Sequence, residues 1–479
     1  MEIVENAWKK QYGYDTMKQV WCKLRDLQYR LQQLNRKEFK YIGKQIDQAR
    51  REVANIQKQL NVQATNELIV REKEMLIKLE KWSLIEESAL RQKARAKWIK
   101  LGDANNKYFS SVIKERNNKK SIRNLMSLDG RMLHEPQEIQ NEFVLFYRSL
   151  MGTAADRLPA INTQVMKRGP VLSRKHRIQL CTTITDHEIV EALKSIGSDK
   201  APGIDGYNAL FFKHTWKIIE HDAVDVVKSF FNTGNLFKSF NCKLVSLIPK
   251  VQSPKNVKEF KPIACCTVMY KIISKVITQR MHEVIHTIIS DSQAGFIPGR
   301  KIGDNIILAH ELVKAYTRKN VSPRSMLKID LQKDYDSVEW PFLEQVMEGL
   351  GFPNLFTQWV MKCVKTVNYT IVVNGQNTQR FDAAKGLRQG DPMSPFLFTL
   401  AMEYLSRLLK GLKEEKNFKY HPKCAKLDVT HLCFADDLLL FSRGDLNSIK
   451  ELHKCFTEFS QASGLQANLN KSSIYCGGV

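Results

Sequence analysis

Three aspartates carry the chemistry that the chain suggests first. In HLCFADDLLLFS, residues 431–442, Asp436 and Asp437 stand side by side between two apolar runs. The flanks, Leu432 to Phe434 and Leu438 to Phe441, read as two buried strands with the aspartate pair as their turn. Carboxylates between buried strands are costly unless something pairs with them. MLKIDLQKDYDSVEW, residues 326–340, holds a third, Asp330, at the end of a strand-like run of Met326, Leu327 and Ile329. If that strand lies beside the hairpin, three carboxylates converge, and divalent cations are needed for them to coexist. Two Mg²⁺ ions about 3.5–4 Å apart, held this way, form the clamp used in nucleotidyl transfer. One ion lowers the pKa of an attacking 3′-hydroxyl; the other neutralises a triphosphate and its departing pyrophosphate.

A second constellation competes. MHEVIH, residues 281–286, spells the H-E-x-x-H of zinc peptidases through His282, Glu283 and His286, with Glu311 as a conceivable third ligand. The bland alternative is an ordinary helix with Ile285, Ile288 and Ile289 in the core. A pattern with three fixed positions recurs by chance, and the bland alternative is preferred.

The elements that must hold these residues belong to a chain of 479 residues, 43% hydrophobic and 26% charged, with a formal net charge of +24. That surplus points to a polyanionic partner, nucleic acid before membrane. No apolar run approaches the ~20 residues of a membrane span, and the N-terminus lacks the pattern of a secretory signal. Ten cysteines lie scattered with no C-x-x-C pair. This predicts free thiols, an intracellular setting and no zinc knuckle.

Along the first ~115 residues, glycine and proline are scarce. Apolar residues recur at helical spacing: Trp21, Leu24, Leu27, Leu31 and Leu34, then Ile42, Ile46, Val53, Ile56 and Leu60. Lys and Arg outnumber Asp and Glu there, so the remaining faces are basic: a solvated helical linker, or an arm that grips nucleic-acid backbone. Residues 101–133 hold a Gly-Asp turn, aromatics and a basic cluster of Lys114, Arg116, Lys119, Lys120 and Arg123, a composition suited to single strands. A hairpin is expected over Leu125–Leu133, and a boundary in the small-residue stretch 151–173. Strands are expected at 325–332 and 369–375. A long helix is expected over 391–412, entered through Pro392 and Pro395. Helices and strands alternate irregularly and no 20–50-residue repeat occurs, which argues for an α+β fold.

A series of blocks, in a fixed order, then resembles the reverse transcriptases of non-LTR (LINE-type) retrotransposons, of the sort abundant in plant genomes. The blocks are SDKAPGIDGYNALFFKHTW (198–216), LVSLIPKVQSPKNVKEFKPIACCTVMYKIISKVITQRM (244–281), SQAGFIPGRKIGDNIILAHELV (292–313), the Asp330 block, GLRQGDPMSPFLFTLAMEYLSRLL (386–409), FADD (434–437), SGLQANLNKSS (463–473) and IYCGGV (474–479). Residues 93–122 resemble the segment that precedes the fingers in that family, so the resemblance covers roughly 90–479. It implies a right-hand polymerase. A helical basic region (1–92) and a pre-fingers, RNA-binding-like segment (93–173) would lead into fingers (174–324) and then a palm with an antiparallel sheet (325–479). The thumb would be missing, as would the family's nicking endonuclease and any RNase H domain or cysteine knuckle.

The same resemblance implies roles. Asp330, Asp436 and Asp437 would bind two Mg²⁺ ions, or Mn²⁺ in their place, with the Leu331 carbonyl as an extra ligand and Asp437 the least tightly coordinated. Tyr335 would be a steric gate against a ribose 2′-OH; a buried aromatic is its bland alternative. Gln389 and Gly390 would let backbone approach the incoming nucleotide. Lys250 and Lys261 would sit over the triphosphate, Lys471 near the pyrophosphate, and Arg300 on template phosphate or simply at the surface. Two positions depart from the family pattern. Lys261 stands where Arg is usual, losing the planar fork that grips phosphate. Asp334 stands where a small residue is usual and adds an anion. The implied partners are an RNA template, a DNA primer or target and dNTPs, with no membrane, acting in the nucleus during integration and otherwise in the cytoplasm. The competing expectation is a truncated, inactive remnant that only binds nucleic acid.

Overall fold

The computed structural model describes residues 1–94, 106–314, 316 and 321–478, apart from three side chains in the helix Asn106–Lys120. The Gly-Asp turn at 102–103 and the side chains of Lys119 and Lys120 lie outside the described residues. The chain forms two compact units: Met1–Ala7 with Leu24–Arg123, and Trp8–Lys23 with Asn124–Val479.

The first unit is helical. The apolar spacing of 42–60 becomes the helix Ile42–Val62, which buries Ile46, Ala49, Val53 and Ile56. Three residues later the chain re-enters helix at Asn66–Ala94, and the two pack as a helical hairpin. The expected stripe through Trp21 and Leu34 runs along the helix Thr16–Leu34, whose residues 16–23 belong to the second unit; a π-helical stretch, Asn35–Phe39, follows.

In the second unit, β1 (Leu125–Met126) and β2 (Met132–Leu133) form the expected hairpin. A mixed sheet has the order β4 (Phe260–Cys265), β3 (Cys242–Pro249), β6 (Asn368–Val373), β7 (Gln376–Asn377), with β8 (Phe381–Asp382) also on β6. Its β3–β4 hairpin is antiparallel. Its β3–β6 pair is parallel, joining strands more than a hundred residues apart. The other sheet is wholly antiparallel. Around β5 (Arg324–Gln332) stand β10 (Asp437–Ser442) and then β9 (His431–Phe434) on one side, with β11 (Gln466–Ala467) and β12 (Ser473–Gly477) on the other.

Behind this framework runs the helix Ser394–Lys410, with Pro395 in its first turn, where a missing N–H costs nothing. It is apolar on nearly every side and is buried along almost its whole length. The stretch 151–173 is pinned to the body of the unit. The Asn162 N–H donates to the Tyr404 hydroxyl (2.9 Å), and the Ile161 N–H to Gln345 Oε1 (2.9 Å).

Candidate active site

Strand β5 delivers Asp330 and strand β10 delivers Asp437, and the two are direct cross-strand partners. Successive side chains alternate between faces, so opposite residues share one face. The register that buries Leu327 and Ile329 against Leu440 and Leu438 therefore sets the two carboxylates on one face. Strands β9 and β10 are joined by two residues, Ala435 and Asp436. This corrects the expected turn: Asp437 is already the first ladder residue. Burial is corrected as well. Asp436 and Asp437 are exposed, and the Asp330 side chain is 30% exposed. The cost of this grouping is partial desolvation together with mutual repulsion. Partial desolvation, then Asp436, and less strongly Asp330, push the Asp437 carboxyl up, against the pull of Lys328.

The block after the last helix is tied to Asp330, a role that the sequence left unassigned for Asn468 and Ser472. Asn468 Nδ2 donates to Asp330 Oδ2 (3.2 Å), and the Asn468 N–H to the Asp330 carbonyl (2.8 Å). The Asp330 N–H donates to Ser472 Oγ (3.2 Å). Lys471 Nζ stands 3.9 Å from Asp330 Oδ2 on an exposed side chain, so its nearest anion is Asp330. Leu331 is buried and pairs with Ala467 of β11.

Beyond β5 the chain turns through Lys333, at φ 49°, into a single helical turn, Asp334–Ser337. The Tyr335 ring stacks on Phe398 (4.9 Å between centroids, 18° between planes) and is half-buried. Its carbonyl accepts from the Leu387 N–H (2.6 Å). Burial, then Asp436, pushes the neighbouring Asp334 carboxyl up to about 6; Lys261 pulls the other way. Asp336 is pushed up to about 7 by burial and Asp334, against Lys333, Lys250 and Lys261. Lys250 and Lys261 are exposed on the β3–β4 hairpin, and their charge reaches this acidic turn.

The sign of the Asp334 shift gives a stability prediction. A carboxyl raised in the folded state destabilises that state once it ionises, so the penalty is present above about pH 6 and absent below its unfolded pKa. Asp334→Asn is expected to raise Tm at pH 8, by an amount worth about 1–3 kcal/mol. The gain should fade by pH 4, read by thermal unfolding at both pH values.

Gly390 has φ +106°, and a Cβ there would stand 2.7 Å from the Ala264 carbonyl oxygen. The Ala264 N–H donates to the Gln389 carbonyl (2.9 Å). Glycine is therefore required here by the close approach of β4, whatever approaches from outside. Gln389 Oε1 is buried and has no partner among the described residues.

A buried polar cluster, unforeseen from the sequence, holds this loop. Asp391 accepts from Ser274 Oγ (2.8 Å), the Tyr270 hydroxyl and the Met393 N–H (3.1 Å). Lys243 is fully buried, 3.8 Å from Asp391 and with Nζ 2.9 Å from the centre of the Tyr270 ring. Burial pulls its ammonium down. A Lys in an apolar strand and an Asp before Pro are the only hints of it in the sequence.

Arg300 turns inward. Nη1 donates to the carbonyls of Ser290 (2.5 Å) and Gln293 (2.7 Å), and Nη2 to Ile289 (2.8 Å) and to Asp291 Oδ1 (3.1 Å). Its guanidinium is thus spent on bracing the segment before the Gly-Phe of SQAGF. The H-E-x-x-H stretch lies where the helix Val268–Val284 passes into a 3₁₀ turn, Ile285–Thr287. Glu283 takes a hydrogen bond from Gln179, and Ile285, Ile288 and Ile289 are in the core.

Among the described residues no three His, Cys, Asp or Glu side chains are already grouped as a metal cage. The donors at Asp330, Asp436 and Asp437 are nevertheless all carboxylate oxygens, the kind that Mg²⁺ and Mn²⁺ take. Desolvation, then Asp436, holds the Asp437 carboxyl above its ordinary value. The residues fit a hard divalent cation in kind.

Comparison with known proteins agrees with this geometry. Residues 248–477 match the family model for reverse transcriptase (RNA-dependent DNA polymerase). Over 376 residues, 78% of the chain, it is 28% identical to the transposon TX1 uncharacterized 149 kDa protein of Xenopus laevis, covering 28% of that protein. Over 304 residues, 63% of the chain, it is 25% identical to the retrovirus-related Pol polyprotein of the type-2 retrotransposable element R2DM of Drosophila melanogaster, covering 27% of it. The chain thus spans little more than a quarter of the length of these relatives. With the ordered blocks, the aspartate register and these matches together, residues 248–477 form a reverse-transcriptase domain similar to those of non-LTR, LINE-type retrotransposons.

Proposed function

We propose that this chain is an RNA-directed DNA polymerase that adds dNTPs to a DNA 3′ end on an RNA template. One observation carries the reading: Asp330 and Asp437 pair across β5 and β10, and Asp436 sits in the turn beside them. The antiparallel sheet around β5 serves as the palm, and the β3–β4 hairpin, with Lys250 and Lys261, as part of the fingers. Asp330, Asp436 and Asp437 would hold divalent cations, which supply activation of the 3′-hydroxyl and neutralisation of the triphosphate. The exposed lysines of the hairpin draw the triphosphate toward the aspartates, and Lys471 adds a cation beside Asp330. Copying onto a chromosomal 3′ end places the work in the nucleus.

Tyr335 acts as the gate. Stacking on Phe398 fixes its ring, so a 2′-hydroxyl meets a rigid edge rather than a side chain that can swing away. Tyr335→Ala is expected to raise ribonucleotide use relative to dNTPs on the order of 10-fold or more. Competitive incorporation of a matched dNTP and rNTP measures it. Unchanged discrimination in an active enzyme would remove Tyr335 from the gate.

One observation favours a second reading, a remnant that binds nucleic acid without chemistry: Asp334 adds an anion whose field reaches Asp436. Extension of oligo(dT) on poly(rA) with dTTP separates the two. Incorporation by the wild type and none by Asp436→Ala supports the polymerase. Equal, background incorporation alongside intact binding supports the remnant.

A further inference from the structure

The turn that carries Asp436 is strained, and the hairpin does not relieve the strain itself. Ala435 has φ 53°, a region that is costly for a residue with a Cβ and that two-residue hairpins usually fill with Gly or Asn. Like charges on Asp436, Asp437 and Asp330 add repulsion at the same tip. Something outside β9 and β10 must hold it.

That support is the segment Ser292–Gly295, which runs along the free edge of β9. The Cys433 N–H donates to the Ser292 carbonyl (2.8 Å), and the Ala294 N–H to the Cys433 carbonyl (3.1 Å). Asn305 Nδ2 donates to both carbonyls, at 3.3 and 3.4 Å. Gln293, 2% exposed, reaches the turn itself. Its Oε1 accepts from the Ala435 N–H (3.2 Å) and from the Gly295 N–H (2.9 Å). Its Nε2 is buried and has no partner among the described residues, so the side chain is held there by its oxygen alone. A Cβ on Gly295 would stand 2.6 Å from the Ala435 nitrogen and 3.1 Å from its Cα. Glycine is what lets the segment come this close. Arg300 clamps the segment from behind through the carbonyls of Ile289, Ser290 and Gln293.

We infer that Gln293 is a positioning residue for the aspartate turn: its side-chain oxygen holds the Ala435 N–H and so sets Asp436 and Asp437 against Asp330. One backbone hydrogen bond in a buried site is comparable in size to the cost of a left-handed alanine, so its loss decides whether the tip stays in place. Glutamine suits the task because an amide oxygen accepts two N–H bonds without adding a further anion behind three others. The catalytic consequence rests on the polymerase reading; the brace itself does not.

Hydrogen exchange followed by mass spectrometry tests the brace in the full chain without any need for activity. In the wild type the Ala435 and Gly295 amides should be protected. Gln293→Met keeps the length of the side chain and removes the acceptor; exchange across 433–437 should quicken about tenfold, the worth of one such bond. Strand β5 and the helix Ser394–Lys410 should be unchanged. Gln293→Glu keeps an acceptor at that reach; buried behind three aspartates, its carboxyl stays protonated and adds no anion, so it should exchange as the wild type does. An unprotected Ala435 amide in the wild type overturns the inference. So does unaltered exchange at 433–437 in Gln293→Met, or a turn opened as widely in Gln293→Glu. Should Gln293→Met exchange faster everywhere, the wild type and Gln293→Glu still decide. In extension assays Gln293→Met should lower kcat on the order of 10- to 100-fold with dNTP KM and primer–template Kd unchanged. A wild type that extends no primer would sink the polymerase reading and leave the exchange result to judge the brace.

Discussion

Asp330→Asn is expected to lower primer extension on the order of 10³-fold or more while leaving the fold intact. The loss follows from position. Asp330 is the carboxylate of β5 that faces Asp437, so removing it leaves the turn's two aspartates without their cross-strand partner. The intact fold follows from charge. Asn keeps an oxygen that can accept from Asn468 Nδ2, and the backbone bonds to Asn468 and Ser472 do not involve the side chain. One fewer anion also lowers the repulsion felt by Asp437. Thermal unfolding should therefore give an equal or higher Tm, and single-turnover extension should show the loss. A variant that extends normally would remove Asp330 from the chemistry; a variant with a collapsed Tm would make the loss uninformative about catalysis.

The largest effect on stability is expected at Arg407. Its side chain is fully buried in the helix Ser394–Lys410, and Nε bonds Glu403 Oε1 at 2.9 Å, both side chains being 0% exposed. Its other nitrogens donate to the carbonyls of Met166, Pro170 (2.5 Å) and Ile288 (3.2 Å). Arg407→Ala would leave Glu403 as an unpaired buried acid with one remaining donor, the Ser290 N–H at 2.8 Å. Breaking a buried pair from one side costs about 3–5 kcal/mol, read as a lowered denaturant midpoint. Burial already pushes Glu403 up against the pull of Arg407, so the carboxyl of the variant should take up a proton more readily. Its deficit should shrink as pH falls. Arg407→Lys should rescue little, because one ammonium lacks the fork that reaches a carboxylate and three carbonyls. The double change Arg407→Met with Glu403→Met removes the unpaired acid but leaves three carbonyls and the Ser290 N–H without partners, so it should recover only part of the loss. A deficit below about 1 kcal/mol, the worth of an exposed pair, would contradict this account. The same clamp fixes Ile288, next to the carbonyls that Arg300 holds, so it steadies the support under the aspartate turn from a distance.

How legible all this was depended on whether a feature is local. Strands β5, β9 and β10 were legible because apolar runs bracket Asp330 and the Asp436–Asp437 pair, and both ends of the hairpin lie within a dozen residues. The helix Ser394–Lys410 was legible from a largely apolar stretch led by prolines, but the buried Glu403–Arg407 pair within it was not. Exact register was not: a two-residue turn could hold either Asp436–Asp437 or Ala435–Asp436, and only the pairing of Phe434 with Asp437 decides. The expectation of buried carboxylates failed for the same reason, since strand periodicity says nothing about a tip that projects from the sheet. Partners far apart in the chain were hidden too. Strand β6 joins β3 in parallel, Lys243 meets Asp391, and Gln293 meets Ala435. Arg300 in a Pro-Gly-Arg-Lys stretch was expected on template phosphate or at the surface, and only tertiary packing shows its donors turned onto carbonyls. Gly390 illustrates a right residue type with a different cause: backbone approach is needed, and β4 is what approaches.

The account stands on template-directed chemistry at the β5–β10 aspartates. It is tested most directly by single-turnover extension of a DNA primer on a heteropolymeric RNA template with Mg²⁺, one dNTP at a time, with Asp436→Ala beside the wild type. The account predicts that the wild type adds only the complementary dNTP at each step, that chelation stops the reaction, and that Asp436→Ala adds none. Product no greater than that of Asp436→Ala, or addition that ignores the template, would contradict it.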